Sequence, residues 1–173
     1  MAKRNFSANE ILKEINSISQ LFSESRKYYP YIDDKFIGKK PTLEFHLIDT
    51  KIFLNFAKPI KKEFQNENNK IAHFLNQNFL LRLYSVLDEY KIFRHINKDN
   101  NPELYVLKRL RNIFSHSLGK FDNNKPDHRN LMRHIIKTFH LENIKYDDFP
   151  ISIDKVISKI LSSSKQYIKD NFY

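Results

Sequence analysis

The chain has 173 residues, with 30 Lys and Arg against 20 Asp and Glu and no cysteine. That length suits one domain spanning residues 1–173. Disulfides and thiolate metal sites are excluded, and no apolar run reaches the ~18 residues of a membrane span.

The first six residues, Met1 to Phe6, are not followed by an apolar signal region, so the expected location is cytoplasmic. Two glycines in 173 residues leave few positions suited to positive φ. Helices joined by polar loops are therefore expected, and hairpins are not.

Ser7-Ala8-Asn9-Glu10 has the pattern of a capping box, with Phe6 and Ile11 able to form the hydrophobic staple. Ile11, Ile15, Ile18 and Phe22 then recur at helical spacing, which predicts a first helix to about Lys27. Tyr28-Tyr29-Pro30-Tyr31 ends it. The segment to Pro41 reads as a loop, with Asp33 and Asp34 in a solvated turn. A second helix is expected from Thr42 through Phe45, Ile48, Ile52, Phe53 and Phe56, broken or kinked at Pro59. Lys58, Lys61 and Lys62 surround that kink as a wet, charged surface. Asn66 to Asn69 reads as a polar connector.

The third helix is predicted from Lys70 to about Phe93. Ile71, Phe74, Leu75, Phe79, Leu83, Val86, Leu87 and Tyr90 give it a broad apolar face, as a central or partner-packing helix has. His73 and His95 are lone histidines with structural or surface roles. Asn101-Pro102 starts a fourth helix with a cap and a first-turn proline. Gly119 is placed to end it just after Leu118. A fifth helix starts at Pro126-Asp127 and runs through Leu131, Ile135, Ile136 and Phe139. After a loop at Asp147-Asp148-Phe149-Pro150, Ser152 caps a sixth, with Ile153, Ile157, Ile160 and Ile168 on one face. It runs into a basic, aromatic end, Lys165 to Tyr173. The expected fold class is all-α, a single-domain bundle of about six helices with antiparallel neighbours. No Gly-rich phosphate loop, internal repeat or metal-ligand cluster is present in the sequence, so no cofactor and no metal are expected.

A net charge of +10 favours a polyanionic partner. Lys outnumbers Arg 22 to 8, and A/T-rich codons account for part of that. They do not account for the excess of bases over acids, because acidic codons tolerate A/T as well. A permanent cation with forked donors suits phosphate oxygens, and histidine moves protons near neutral pH. An Arg–His pair is therefore a candidate for phosphodiester cleavage in RNA, where the 2′-hydroxyl is a built-in nucleophile and no metal is needed. Four Arg–His pairs lie five to seven residues apart: Arg109–His116, Arg111–His116, Arg129–His134 and Arg133–His140.

Context separates them. Leu107-Lys108-Arg109-Leu110-Arg111-Asn112-Ile113-Phe114-Ser115-His116-Ser117 resembles the signature of the HEPN superfamily (higher eukaryotes and prokaryotes nucleotide-binding). Those domains are small all-α bundles carrying Arg-x4–6-His, usually with a polar residue directly after the arginine. Asn112 holds that place here. The resemblance implies catalytic roles for Arg111 and His116. Asn112, Arg109, Ser115, Lys108 and Lys120 would support them or hold substrate. It further implies a homodimer in which two motifs form one cleft, a role in toxin–antitoxin or antiviral defence, and an antitoxin or regulatory protein as partner. RNA is the expected substrate and no membrane is involved. Arg129-Asn130…His134 is the second-choice motif, with an Asn again after the Arg.

Helical geometry complicates the pairing. At 100° per residue, Arg111 and His116 lie about 140° apart, whereas Arg109 and His116 share a face. A long arginine reaching round the helix, a loosened helix end near Gly119, or a two-fold dimer each brings Arg111 and His116 together. The sequence leaves open which arginine partners His116. It also leaves a different class of function open, a catalytically silent helical RNA-binding or protein-interaction module.

Overall fold

The computed structural model of the chain describes residues 7–47, 50–116, 121–142 and 156–172, excluding the side chains of residues 45–47, 50 and 116. Among the described residues there are five α-helices and one two-stranded antiparallel sheet. The expectation of a mostly helical chain holds. The expectation of no hairpin does not: a hairpin replaces the second expected helix.

Helix α1, Ala8–Tyr28, begins at the expected capping box: the Glu10 amide donates to Ser7 Oγ at 3.3 Å and the Ser7 amide to Glu10 Oε2 at 2.9 Å. Its buried stripe is Ala8, Ile11, Ile15, Ser19, Phe22 and Arg26. The next segment corrects the sequence reading. Strands β1 (Thr42–Leu47) and β2 (Thr50–Asn55) stand where a helix was expected. They pair from Thr42↔Asn55 to Leu47↔Thr50. Leu43 and Ile52 are buried while Phe53 is 57% exposed. The apolar residues of this stretch therefore alternate between faces and do not form one helical stripe, and its Thr, Phe and Ile content suits a pleated surface. The two residues between the strands, Ile48 and Asp49, include no glycine, which is why glycine scarcity misled.

Gly38 carries the positive φ of 77° that lets the incoming chain turn. Its amide donates to the Ile60 carbonyl at 2.8 Å, and the Ile60 amide to the Lys39 carbonyl at 2.9 Å. These bonds fold the hairpin over a small satellite core of Ile32, Leu43 and Ile60. Pro59 precedes this bridge and kinks no helix.

Helix α2, Lys62–Glu89, starts eight residues before the expected Lys70. The supposed connector is helical because its amide side chains have backbone partners. Gln65 Nε2 donates to the Ile32 carbonyl at 2.9 Å and Asn69 Nδ2 to the same carbonyl at 2.8 Å, while Asn69 Oδ1 accepts from the Ile32 amide at 2.8 Å. Asn68 Nδ2 donates to the Pro30 carbonyl. Asp34, expected to be free in solvent, accepts from Lys62 at 2.9 Å. Lys91 in the left-handed region, φ 61°, ends the α2 run, and a 3₁₀ turn at Ile92–Arg94 follows.

Helix α3, Pro102–His116, buries Leu104, Val106, Leu107, Leu110, Ile113 and Phe114 as its wheel requires. Helix α4, Pro126–Phe139, buries Leu131, Met132, Ile135 and Phe139. Helix α5, Ser158–Phe172, buries Ile160, Leu161, Ser164 and Ile168. Helix α3 packs against α2, α4 and α5, and α1 packs against α2 and α5. Gly119, the Asp147–Pro150 loop and the Ser152 cap lie outside the described residues. No described helix is long and apolar enough to cross a membrane.

The amide contacts give a direct check. Asn68→Ala leaves the buried Pro30 carbonyl without its donor and is expected to lower stability by about 1–3 kcal/mol in urea unfolding. Substitution of exposed Glu67 by Ala should change it by less than about 0.5 kcal/mol.

Candidate functional site

The packing of α3 determines which of its residues can do chemistry. One half of the helix is core, so Arg111, Asn112 and Ser115 are left on its outer side, the last two exposed. Arg111 is braced from both directions. Its Nη1 donates to Asn112 Oδ1 at 3.2 Å. Its guanidinium carbon sits 5.7 Å from the centroid of the Tyr84 ring, within the range of cation–π attraction. Tyr84 in turn stacks on Phe93, centroids 4.5 Å apart and planes 14° apart. The column Arg111–Tyr84–Phe93 therefore ties the motif to α2 and to the 3₁₀ turn after it. Burial raises the Tyr84 phenol above its usual value, Asp88 adds to this, and Arg111 opposes it. The ring stays neutral near pH 7.

Lys108, expected to touch substrate, donates to the Phe93 carbonyl at 2.9 Å and so helps hold the same turn. His116 is the last residue of α3; its side chain lies outside the described part of the chain, as does all of Lys120. Helix α3 keeps α-helical backbone through His116, so the angular separation between positions 111 and 116 stands in the fold.

Arg109 is on a different side of the helix from Arg111. It lines a cleft of about 330 Å³ between α3 and α4, together with Lys98, Tyr105, Asp127, Asn130, Leu131 and His134. The fold thus brings together Arg109 and His134, which belong to separate motifs in the sequence. Arg129, the sequence partner of His134, donates instead to the Asn123 carbonyl at 2.5 Å and is not among the cleft's lining residues. His134 packs edge-on to Tyr105, centroids 5.3 Å apart at 87°. Its Nε2 is buried with no hydrogen-bond partner. Burial lowers its affinity for a proton, Lys137 and Lys98 lower it further, and a backbone hydrogen bond with Pro102 and the Asp99 charge act the other way.

Tyr84, Lys98, Tyr105 and Asp127 were not singled out as site residues from sequence, whereas Asn130 was, directly after Arg129 in the second-choice motif. Tyr84 meets Arg111 only through the docking of α2 on α3, which no local pattern encodes. Tyr105 with Arg109, and Asp127 with Asn130 and His134, do fall on common faces at helical spacing. The signal was present but could not show that the two faces meet.

Charge is unevenly spread. Helices α3 and α4 carry six Lys and Arg against two carboxylates, whereas α2 carries three against four. The ion pairs among the described residues lie at Lys27–Glu24, Lys35–Asp33, Lys51–Glu44, Lys62–Asp34 and Lys70–Glu67, all outside α3 and α4.

A pH dependence of stability follows. His73, through burial and then Arg26, and His134 both hold protons less tightly than the ordinary 6.5. The unfolded chain takes up protons first as pH falls, so stability from these groups is complete above 6.5 and is lost as pH drops toward the depressed values. Between about pH 7.5 and about pH 5.5, the urea midpoint is expected to fall more for the parent than for a His73→Gln, His134→Gln double variant.

Comparison of the chain with protein-family models, with curated sequences and with solved structures gave no match.

Proposed function

We propose that the chain is a metal-independent endoribonuclease of the HEPN type, with Arg111 and His116 as its catalytic pair. The observation that carries this reading is the bracing of Arg111 by Tyr84 and Asn112 on a helix that carries three bases to one acid. An arginine held in place beforehand loses little freedom when it meets a phosphate, and that favours stabilising charge in a transition state.

In the proposed reaction the 2′-hydroxyl oxygen attacks the adjacent phosphorus and the bond to the 5′-oxygen breaks. His116 accepts the hydroxyl proton or donates one to the leaving oxygen. Arg111 stabilises the negative charge that grows on the non-bridging oxygens. Asn112, which already accepts a hydrogen bond from Arg111, keeps its amide NH2 free to donate to the scissile phosphate. Products are a 2′,3′-cyclic phosphate and a 5′-hydroxyl. Positions 111 and 116 diverge around one helix, so the pair is completed by a two-fold partner, with Arg111 of one protomer facing His116 of the other. A toxin or antiviral-defence role, with an inhibitory protein partner, extends the same resemblance.

Purified protein incubated with mixed cellular RNA in EDTA is expected to cleave it. Arg111→Ala and His116→Ala, at equal helicity, are each expected to lower the rate by about 100-fold or more. Arg111→Lys should also fail to restore it, because lysine keeps the charge but not the fork or the stacking plane. Equal cleavage by all of these proteins, or activity abolished by EDTA, would refute the mechanism. No cleavage by any would identify a catalytically silent RNA-binding or protein-interaction module.

A further inference from the structure

Helix α2 carries more apolar surface than its neighbours cover. Ile71 and Phe74 are exposed on it, Phe74 by 63%, and Leu21 on α1 is exposed by 59%. Single exposed apolar side chains need no explanation, but a contiguous set marks a contact surface. These three border one groove. Helices α1 and α2 run antiparallel: the Tyr90 hydroxyl donates to Glu14 at 2.7 Å, and Phe22 stacks on Phe79 with centroids 4.4 Å apart. The Phe22–Phe79 pair floors a groove of about 340 Å³ between the two helices. Ile18 and Leu21 form one wall, and Leu75 and Asn78 form the other. Ile71 and Phe74 continue the second wall, each four residues before one of its members. Exposed Tyr28, seven residues after Leu21, continues the first.

Charge and backbone chemistry say what fills it. Arg82 is the one charged side chain among the lining residues, and no ion pair among the described residues neutralises it. Acids on the nearby turns of α1 are engaged elsewhere, Glu14 by Tyr90 and Glu24 by Lys27 at 2.6 Å. A guanidinium at the rim of an apolar groove is matched by a carboxylate on the occupant. The main chain of that occupant would meet Leu and Phe side chains, which offer no hydrogen bonds, so it must satisfy its own polar groups. A helix does this and an extended strand does not. A third helix laid on two antiparallel ones also repeats the packing that joins them. We propose that the α1–α2 groove docks an acidic amphipathic helix of a separate protein, with its apolar stripe on Leu21, Phe74 and Leu75 and a carboxylate on Arg82. From Ile18 to Tyr28 the groove extends about 15 Å, or about three turns of such a helix. A second copy of this chain matches less well, because it brings its own charge of +10. The docking surface does not rest on the cleavage reading. Tyr84, which braces Arg111, is two residues from Arg82 and about 200° round α2 from it.

The test is selection of phage-displayed helical peptides of about 15 residues on the immobilised full chain, with one helix face randomised over apolar, acidic and basic residues. Enrichment is expected for peptides with apolar residues at i, i+3 or i+4, and i+7, and with Asp or Glu beside that stripe. Synthesised as a free peptide, the most enriched sequence is expected to bind saturably in fluorescence anisotropy. Leu21→Asp and Phe74→Ser should each weaken it by about tenfold or more. Phe53→Ser, a comparably exposed side chain on the hairpin, should leave it unchanged. Arg82→Glu should turn the preference from acidic peptides to basic ones. All four side chains are exposed, so these replacements spare the fold, and unchanged urea midpoints check that. An absence of enrichment overturns the proposal. So does equal enrichment on a Leu21→Asp, Phe74→Ser double variant, or an acidic preference that survives Arg82→Glu. A dimer in sedimentation that Leu21→Asp disperses would assign the groove to a second copy and overturn it as well.

Discussion

Half of α3 is committed to the core, and that commitment fixes what the other half displays. Leu104, Leu107 and Leu110 are no more than 1% exposed. Turning the helix by one residue would bring such side chains toward water, at about 1.5–3 kcal/mol each. The helix is therefore held in rotation as well as in position. Arg111 and Arg109, two residues apart, are presented to different neighbours: one to an aromatic column on α2, the other to a cleft against α4. One short stretch thus supplies two chemically distinct surfaces, and neither is adjustable without disturbing the core.

The far end of the molecule depends on a different principle. There the connection from α1 to the hairpin is held by side-chain amides on α2 acting on main-chain groups of Pro30 and Ile32. Arg26 joins them from α1. It is 2% exposed, burial lowers its pKa to about 10, and it donates to the Tyr29 carbonyl. A helix C-terminus is a natural place for a buried cation, because the last carbonyls carry partial negative charge. These contacts let α2 begin early and set the small hairpin core at its side. The apolar core joins the helices, and the polar lock joins the hairpin to them.

The difference between the two ends explains how much was legible in the sequence. Helices α1, α3 and α4 each announced themselves by a cap or first-turn proline followed by 3.6-residue periodicity, and they lie close to where those signals put them. The hairpin did not, because Phe45, Ile52, Phe53 and Phe56 fit both a helical stripe and a two-residue alternation. Only the side of the chain that is covered decides between them. Asn68 and Asn69 read as part of a connector because polar side chains usually mark solvent. Their carbonyl partners lie more than thirty residues away. At the candidate site, the residue types and the α3 framework were readable. The Tyr84 brace and the meeting of Arg109 with His134 were not, since both are products of helix docking.

The concentration of cations on α3 and α4 has a consequence for encounter. The charge of +10 is shared unequally among the helices. Helix α2 carries more acids than bases, whereas α3, α4 and α5 each carry three bases to one acid. A polyanion nearing the molecule would be attracted more strongly by those three helices than by α2. That attraction acts over roughly 8 Å at physiological ionic strength and fades as salt rises. The two arginines of α3 would meet such a polyanion separately, Arg109 from the α4 side and Arg111 from the side of Tyr84.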